Sequence, residues 1–429
     1  MSRVATIAAA RRSRATALRC STISSRARRF AHSSASGTCS HGRNSPNLRL
    51  ARPRGRAIAC CGTPTYLCSP GSYHARGCRR TQATIPLSFP AQLPREIKGR
   101  PLRRTVWAFA IALCCLGSCF GSFAKAAGIQ LLASDPALSG AIWYPCAAEP
   151  AQVALGSLAV DADFGLKGAK DCPVTGAKLP LIIFSHGRGG FFGQHHDTAE
   201  ALADAGFVVA AINHPGDTAH DSSRRDTLSV LGSRPADMVR LLDFMLKDWK
   251  DRAVVDPAKV GFFGFSLGGF TGLVLMGTRP DFARVAGLCK ETTGACAQLH
   301  NGETPPDPIQ DARIRSAVIV DPAPGLLTRE NLAAVKVPFQ FWRSQLGGPG
   351  VGDGSGTARV ADGLPGKPEI HVVPAGHFAF LAPCSAELAA AIPRICTDVP
   401  AGFDRAAFHR EFDAAVVTFF REQLAGGDR

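Results

Sequence analysis

Val260-Gly261-Phe262-Phe263-Gly264-Phe265-Ser266-Leu267-Gly268-Gly269 is a β-branched and aromatic run that reaches a glycine-flanked serine and passes at once into an apolar, helix-like stretch, Gly268 to Met276. A strand entering a helix through Gly-x-Ser-x-Gly turns so tightly that the residues two before and two after the serine must be small. The turn lifts the hydroxyl clear of the sheet at the helix N-terminus. The pentapeptide alone recurs by chance, but its strand-turn-helix setting makes it a strong signal. Ser266 is the candidate nucleophile, against the alternative of a glycine-rich turn that only packs closely.

On both sides of this turn, short apolar runs alternate with helical stretches. Strand candidates are Ile129 to Leu132, Ala141 to Tyr144, Leu181 to Phe184, Phe207 to Ile212, Val260 to Phe263, Ser316 to Val320, Phe339 to Trp342 and Glu369 to Val373. Helix candidates include Thr198 to Ala205, Ala236 to Leu246, Gly268 to Met276, Arg329 to Val335 and Asp404 to Leu424. Leu181-Ile182-Ile183-Phe184 has no polar alternate position, which marks a strand covered on both faces. Strands alternating with helices imply a mostly parallel sheet between helical layers, so the expected class is α/β in one domain over residues 127–429. Residues 147–178 and 287–311 break the alternation. They are expected to be ordered excursions held by disulfides, the second placed to act as a lid.

Serine is a weak nucleophile at its free pKa and needs a base, and in this strand-turn-helix arrangement the chain order is Ser, acid, His. Four histidines follow Ser266: His300, His371, His377 and His409. His377, in Pro374-Ala375-Gly376-His377-Phe378 just beyond the last strand, can swing over the sheet edge, and it is the expected base. Asp321 directly ends a strand and is the preferred acid; Asp353, in a glycine-rich loop, is the alternative. The oxyanion site needs two backbone N–H groups. Leu267, after the nucleophile, supplies one, and Arg188 in Ser185-His186-Gly187-Arg188-Gly189-Gly190 is nominated for the other. Phe191 and Phe192 can line an acyl pocket or pack the loop onto the core. His195, His196, Asp197, His214, Asp217, His220 and Asp221 lack the spacing of a strong metal motif, and no metal or cofactor is expected.

The net charge of +15 invites a nucleic-acid reading, but the charge is not evenly placed. Residues 1–134 carry 22 Lys and Arg against one acidic residue, Glu96, and the remainder carries 27 against 33. The part able to fold has no net attraction for phosphate, so no nucleic-acid partner is expected. Residues 1–100 form a basic low-complexity leader without a packed domain. Residues 101–126 have the layout of a secretory signal: Arg100, Arg103 and Arg104, an apolar run from Val106 to Phe120, and Ala124-Lys125-Ala126 as a cleavage site. Translation is expected to begin near Leu102 or Val106. A bipartite presequence is the alternative. The apolar run is shorter than the roughly 20 residues that span a bilayer, so no stable membrane span is expected. Leu116-Gly117-Ser118-Cys119 resembles a lipoprotein cleavage box, which leaves a lipid anchor at Cys119 as an alternative.

Six cysteines follow Ala126: Cys146, Cys172, Cys289, Cys296, Cys384 and Cys396. An even set in an exported chain reads as up to three disulfides, for which sequence leaves 15 connectivities. Pairing neighbours in order is the simplest choice.

Taken together, Ser-His-Gly-Arg-Gly-Gly, Gly-Phe-Ser-Leu-Gly-Gly, Val-Asp-Pro-Ala and Ala-Gly-His-Phe in this order resemble the α/β-hydrolases. More narrowly the chain resembles exported bacterial predicted dienelactone hydrolases, which are similar to platelet-activating-factor acetylhydrolases. The resemblance covers about Gly128 to Leu424, and Asn213-His214-Pro215-Gly216-Asp217 and Arg234-Pro235-x-Asp237 share in it. It implies the α/β-hydrolase fold and supports Asp321 as the acid. Dienelactone hydrolases use a cysteine nucleophile where this chain has Ser266, so that name does not give the substrate. The expected activity is exported hydrolysis of a small or short-acyl ester or lactone through an acyl-enzyme. A peptidase is the alternative enzyme, and a non-catalytic binding module the alternative outside catalysis.

Overall fold

The computed structural model describes residues 126–426. The leader of residues 1–100, residues 101–125 of the signal-like stretch of residues 101–126, and Cys119 lie outside them. Among the described residues ten strands form the sheet: β1 Ala126–Leu132, β2 Gly140–Cys146, β3 Ala151–Gln152, β4 Lys167–Lys170, β5 Leu179–Ser185, β6 Val208–Ile212, β7 Val255–Phe265, β8 Ile314–Val320, β9 Phe339–Ser344 and β10 Glu369–Val373. Their order is β10-β9-β8-β7-β5-β6-β2-β1-β4-β3. β5 to β10 all run parallel, and β2 is antiparallel to both β6 and β1. The carboxyl ends of β5, β7, β8, β9 and β10 therefore share one edge, the edge where open α/β sheets place their sites. This is the expected α/β-hydrolase fold.

The apolar strand runs divide between two layers. Ile182, Phe184, Val209, Ala211, Phe263 and Phe265 face one core, packed by α1 (His196–Asp204) and α10 (Arg405–Phe420). Leu181, Ile183, Val208, Ala210, Val260 and Phe262 face the other, packed by α2 (Ser229–Lys247) and α3 (Leu267–Leu275). Period-2 geometry thus persists beneath an unbroken apolar sequence because both faces are covered. α1 stops where Gly206 takes a φ of 100°, with Gly206 N donating to Ala203 O at 3.0 Å and Phe207 N to Leu202 O at 3.0 Å. This glycine-terminated double closure returns the chain into β6.

Several boundaries differ from expectation. α2 begins at Ser229 and runs through Pro235, rather than starting after it. Val230, Arg234, Met238, Leu241 and Met245 are buried along one stripe, so tertiary packing outweighs the missing proline N–H. β3 and β4 lie inside the excursion of residues 147–178, and β4 pairs in parallel with β1. The other helices are α4 Phe282–Leu288, α5 Gly294–His300, α6 Arg329–Leu332, α7 Ser355–Gly363, α8 Ala386–Ala391 and α9 Pro393–Cys396.

Disulfides join Cys146 to Cys172, Cys289 to Cys296 and Cys384 to Cys396, the in-order pairing. The first ties β2 to the chain after β4, and the second ties α4 to α5 within the excursion of residues 287–311. Among the described residues no helix is long and apolar enough to cross a membrane.

Candidate active site

Ser266 sits between β7 and α3 at φ 56° and ψ −118°, a conformation that costs on the order of 1–3 kcal/mol. Its backbone is held from three sides: Ser266 N donates to Val320 O at 2.9 Å, and Phe270 N and Ala323 N donate to Ser266 O at 3.1 Å. The flanking glycines are a steric necessity. A Cβ on Gly264 would lie 2.3 Å from Gly268 O, and one on Gly268 would lie 1.9 Å from Ser185 O. Glycine in a helix costs roughly 1 kcal/mol against alanine, far less than such overlaps.

His377 follows β10 on a one-turn 3₁₀ segment, its N–H donating to Gly347 O at 2.7 Å. Its ring stacks on Phe265 with centroids 4.5 Å apart. Nε2 lies 3.0 Å from Ser266 Oγ, and Nδ1 lies 2.6 Å from Asp321 Oδ2. Asp321 Oδ1 accepts from Ser344 N at 3.0 Å and Oδ2 from Ser344 Oγ at 2.6 Å. A carboxylate only accepts, so the ring proton belongs on Nδ1 and the Nε2 lone pair faces the Ser266 hydroxyl. All three side chains are buried.

The other candidates stand apart. His371 stacks on Trp342 at 3.8 Å, His409 Nε2 donates to Ala379 O at 2.9 Å, and His300 ends α5. Asp353 is exposed and accepts from Ser355 N at 3.0 Å, so of the two carboxylates Asp321 is the one joined to His377. The loop that carries Asp353 nevertheless reaches the site through backbone alone. An ideal Cβ on Gly350 would lie 3.8 Å from Ser266 Oγ.

Leu267 N opens α3 and, like the first amides of any helix, has no acceptor in a preceding turn. Gly187 packs so closely that a Cβ there would lie 3.1 Å from the Phe265 ring and 3.3 Å from Ser266 Cβ. Among the described residues neither the Leu267 nor the Arg188 amide donates to a protein acceptor.

Beneath this loop lies a buried polar network to which sequence reading assigned no role. Arg234 donates from Nε to Asp217 Oδ2 at 2.9 Å, from Nη1 to His186 O at 2.8 Å and from Nη2 to Gly187 O at 3.0 Å. His214 Nδ1 lies 3.0 Å from Asp237 Oδ2, and its Nε2 lies 2.9 Å from Ser185 Oγ. Burial first, then nearby arginines, holds His214 well below the usual imidazole range. Arg234 and Asp237 lie on the buried stripe of α2, a place that a helix expected to start at Ala236 did not give Arg234.

Two clefts are lined by Arg188 and by a sequence neighbour of His377 or of Ser266, Ser266 itself lining neither. One, of about 280 Å³, is lined by Phe191, Phe378, Leu388 and Ile392 together with Arg188 and Arg394. The other, of about 590 Å³, lies between Leu267 and the Thr293–Cys296 stretch, so the disulfide-held excursion forms its wall. Phe192 instead packs into the core beside Trp143 and Phe164. A cleft of about 630 Å³ at the amino ends of β9 and β10 contains none of these groups.

On the α1–α10 face, Asp197, His409 and Asp413 bring ligand-type atoms within 4.8 Å of one another. His409 Nδ1 already meets Asp197 Oδ2 at 2.6 Å, and Thr198 Oγ1 donates to Asp413 at 2.6 Å. Burial first and then the Asp197 charge push the Asp413 carboxyl up to about 7. His214, Asp217 and Asp221 make protein hydrogen bonds instead of forming a ligand cluster.

Residues 151–229, which include the Ser185–Gly190 loop, match the family model of platelet-activating factor acetylhydrolase, isoform II. A platelet-activating factor acetylhydrolase of Cavia porcellus is 49% identical over 45 residues, 10% of each chain. The match spans about a tenth of that relative's length. A ferulic acid esterase from Streptomyces cinnamoneus is similar at 17% identity and a TM-score of 0.47, over 72% of this chain and 94% of that one. By its sheet order and its strand-serine-helix turn this chain has the α/β-hydrolase fold, and over residues 151–229 it is similar to the platelet-activating factor acetylhydrolases.

Proposed function

We propose that the chain is a serine hydrolase of carboxylic esters, working through an acyl-enzyme on Ser266. The observation that carries this is the buried hydrogen-bonded chain from Ser266 Oγ through His377 to Asp321, with two unengaged amides beside it. In this reading Oγ attacks the ester carbonyl while His377 Nε2 takes its proton. The Leu267 and Arg188 amides meet the oxygen as it gains charge, and the protonated His377 gives the proton to the leaving alkoxide. Water, deprotonated by His377, then releases the acid. Asp321 holds the tautomer on which both transfers depend.

Small or short-acyl esters and lactones are the proposed substrates, with the cleft of about 280 Å³ that Phe191 and Phe378 help to line as the proposed acyl site. Export is proposed on the three disulfides, which persist in oxidising compartments. No cofactor takes part in this scheme. Hydrolysis of p-nitrophenyl esters of increasing acyl length by the purified chain tests it. Turnover that is highest on the shortest acyl groups is expected, and no turnover on any ester would overturn the reading.

A further inference from the structure

The geometry points to Arg234 as a positioning residue for the oxyanion site. Its guanidinium grips the carbonyls of His186 and Gly187 and thereby turns the Arg188 N–H toward Ser266. The inference rests on the ester-hydrolase reading above and names what holds its second oxyanion donor in place.

A trans peptide is planar, with C=O and N–H directed oppositely, so whatever fixes the Gly187 oxygen fixes the Arg188 hydrogen. That oxygen receives Arg234 Nη2 at 3.0 Å, His186 Nδ1 at 2.7 Å and Gly190 N at 3.1 Å. The His186 contact has one consistent tautomer. Burial first, then Arg234 and His214, holds His186 well below the usual imidazole range, and its Nε2 accepts from His214 N at 3.1 Å, which leaves the proton on Nδ1 for Gly187 O. Neighbouring amides are consumed elsewhere: Gly189 N donates to Asp217 Oδ1 at 2.8 Å, and Gly190 N to Gly187 O. Arg188 N–H is left without a protein acceptor, beside the glycine that packs on Ser266.

Asp217 closes the device, because one carboxylate takes both Gly189 N and Arg234 Nε. Arg234 and Asp217 are both fully buried, and such a pair is often no more stabilising than apolar residues of the same volume. Stability therefore does not account for it, whereas the planar fork of an arginine reaches two carbonyls and a carboxylate at once. A lysine ammonium cannot reproduce that fork.

The test compares wild type with Arg234→Lys and with Asp217→Asn, each checked for folding by circular dichroism. The clamp requires kcat to fall roughly 10- to 100-fold in Arg234→Lys with KM within about threefold, since a displaced oxyanion donor acts on the transition state. Affinity for a trifluoromethyl ketone, which forms a tetrahedral adduct on serine, should fall by the same factor. The phosphonylated wild-type chain supplies a readout that needs no substitution: the Arg188 amide should show the largest downfield proton shift of residues 187–190. An Arg234→Lys chain that keeps kcat and ketone affinity within twofold overturns the inference, as does a wild-type shift centred on Gly189. Wild type that turns over no ester removes the underlying reading first, whereas an active wild type matched by Arg234→Lys removes only the clamp.

Discussion

Asp321 Oδ2 lies 2.6 Å from His377 Nδ1, and the same carboxylate is anchored by both the amide and the hydroxyl of Ser344. The carboxylate is thus fixed from the neighbouring strand end as well as by the imidazole. Its own backbone stands at a φ of 43°, where the chain turns out of β8.

This arrangement separates two carboxylates by experiment. Asp321→Asn should keep the fold and lower kcat by up to about 10,000-fold, as tautomer control is lost. Asp353→Asn should change kcat by less than about tenfold, since that side chain is exposed and caps Ser355 N. The kinetics of both variants at equal folded fraction check this, and a large loss in Asp353→Asn alone would reverse the assignment.

Gly350 is expected to be intolerant for a different reason. With φ at 91° and a would-be Cβ 3.8 Å from Ser266 Oγ, Gly350→Val both strains the loop and fills the space in front of the hydroxyl. Its kcat/KM on p-nitrophenyl acetate should fall at least about tenfold, because the approach of the ester is blocked. An unchanged rate would mean that substrate arrives from another side.

The fold and the hydrogen-bonded trio were readable to different depths. Strands such as Leu181-Ile182-Ile183-Phe184 announce themselves because burial on both faces leaves no polar position. Ser266 does so because only glycines fit around it. Asp321 and His377 followed from chain order and from lying at or just beyond strand ends. The short strands β3 and β4 left no trace, since two and four residues rich in Ala, Gly and Lys show no period. The Arg234–Asp217 clamp was invisible for another reason: the partners are 17 residues apart, and only the folded chain shows that the arginine on α2 points under a loop rather than into water. Pro235 misled because proline usually ends a helix, a tendency that local packing overrode here.

Non-reducing peptide mapping of the purified chain should recover linked peptides containing Cys146 with Cys172, Cys289 with Cys296 and Cys384 with Cys396. Reduction should lower the thermal midpoint, each bridge being worth about 2–4 kcal/mol. Free thiols at these six positions would contradict both the pairing and the case for export.

Asp413, which faces Asp197, His196, His409 and Thr198, should leave a pH signature in stability. Its carboxyl is pushed up to about 7 in the fold, against about 3.9 in an unfolded chain, so the folded form keeps a proton that the unfolded form releases. The stability it contributes is full below about pH 4 and is lost as pH rises to about 7, a loss on the order of a few kcal/mol. Asp413→Asn retains an acceptor for Thr198 and removes that titration. Its midpoint should therefore gain on wild type as pH rises from 4 to 8. A difference that stays constant across that range would show that Asp413 is ionised in the fold.

The most direct measurement is mass spectrometry of the chain after reaction with a fluorophosphonate, alongside p-nitrophenyl acetate turnover. One adduct per chain on the peptide bearing Ser266 is expected, with turnover abolished in proportion. Ser266→Ala should take up no label and lose several orders of magnitude in kcat. An adduct on any other serine, or turnover that persists in Ser266→Ala, would contradict the account.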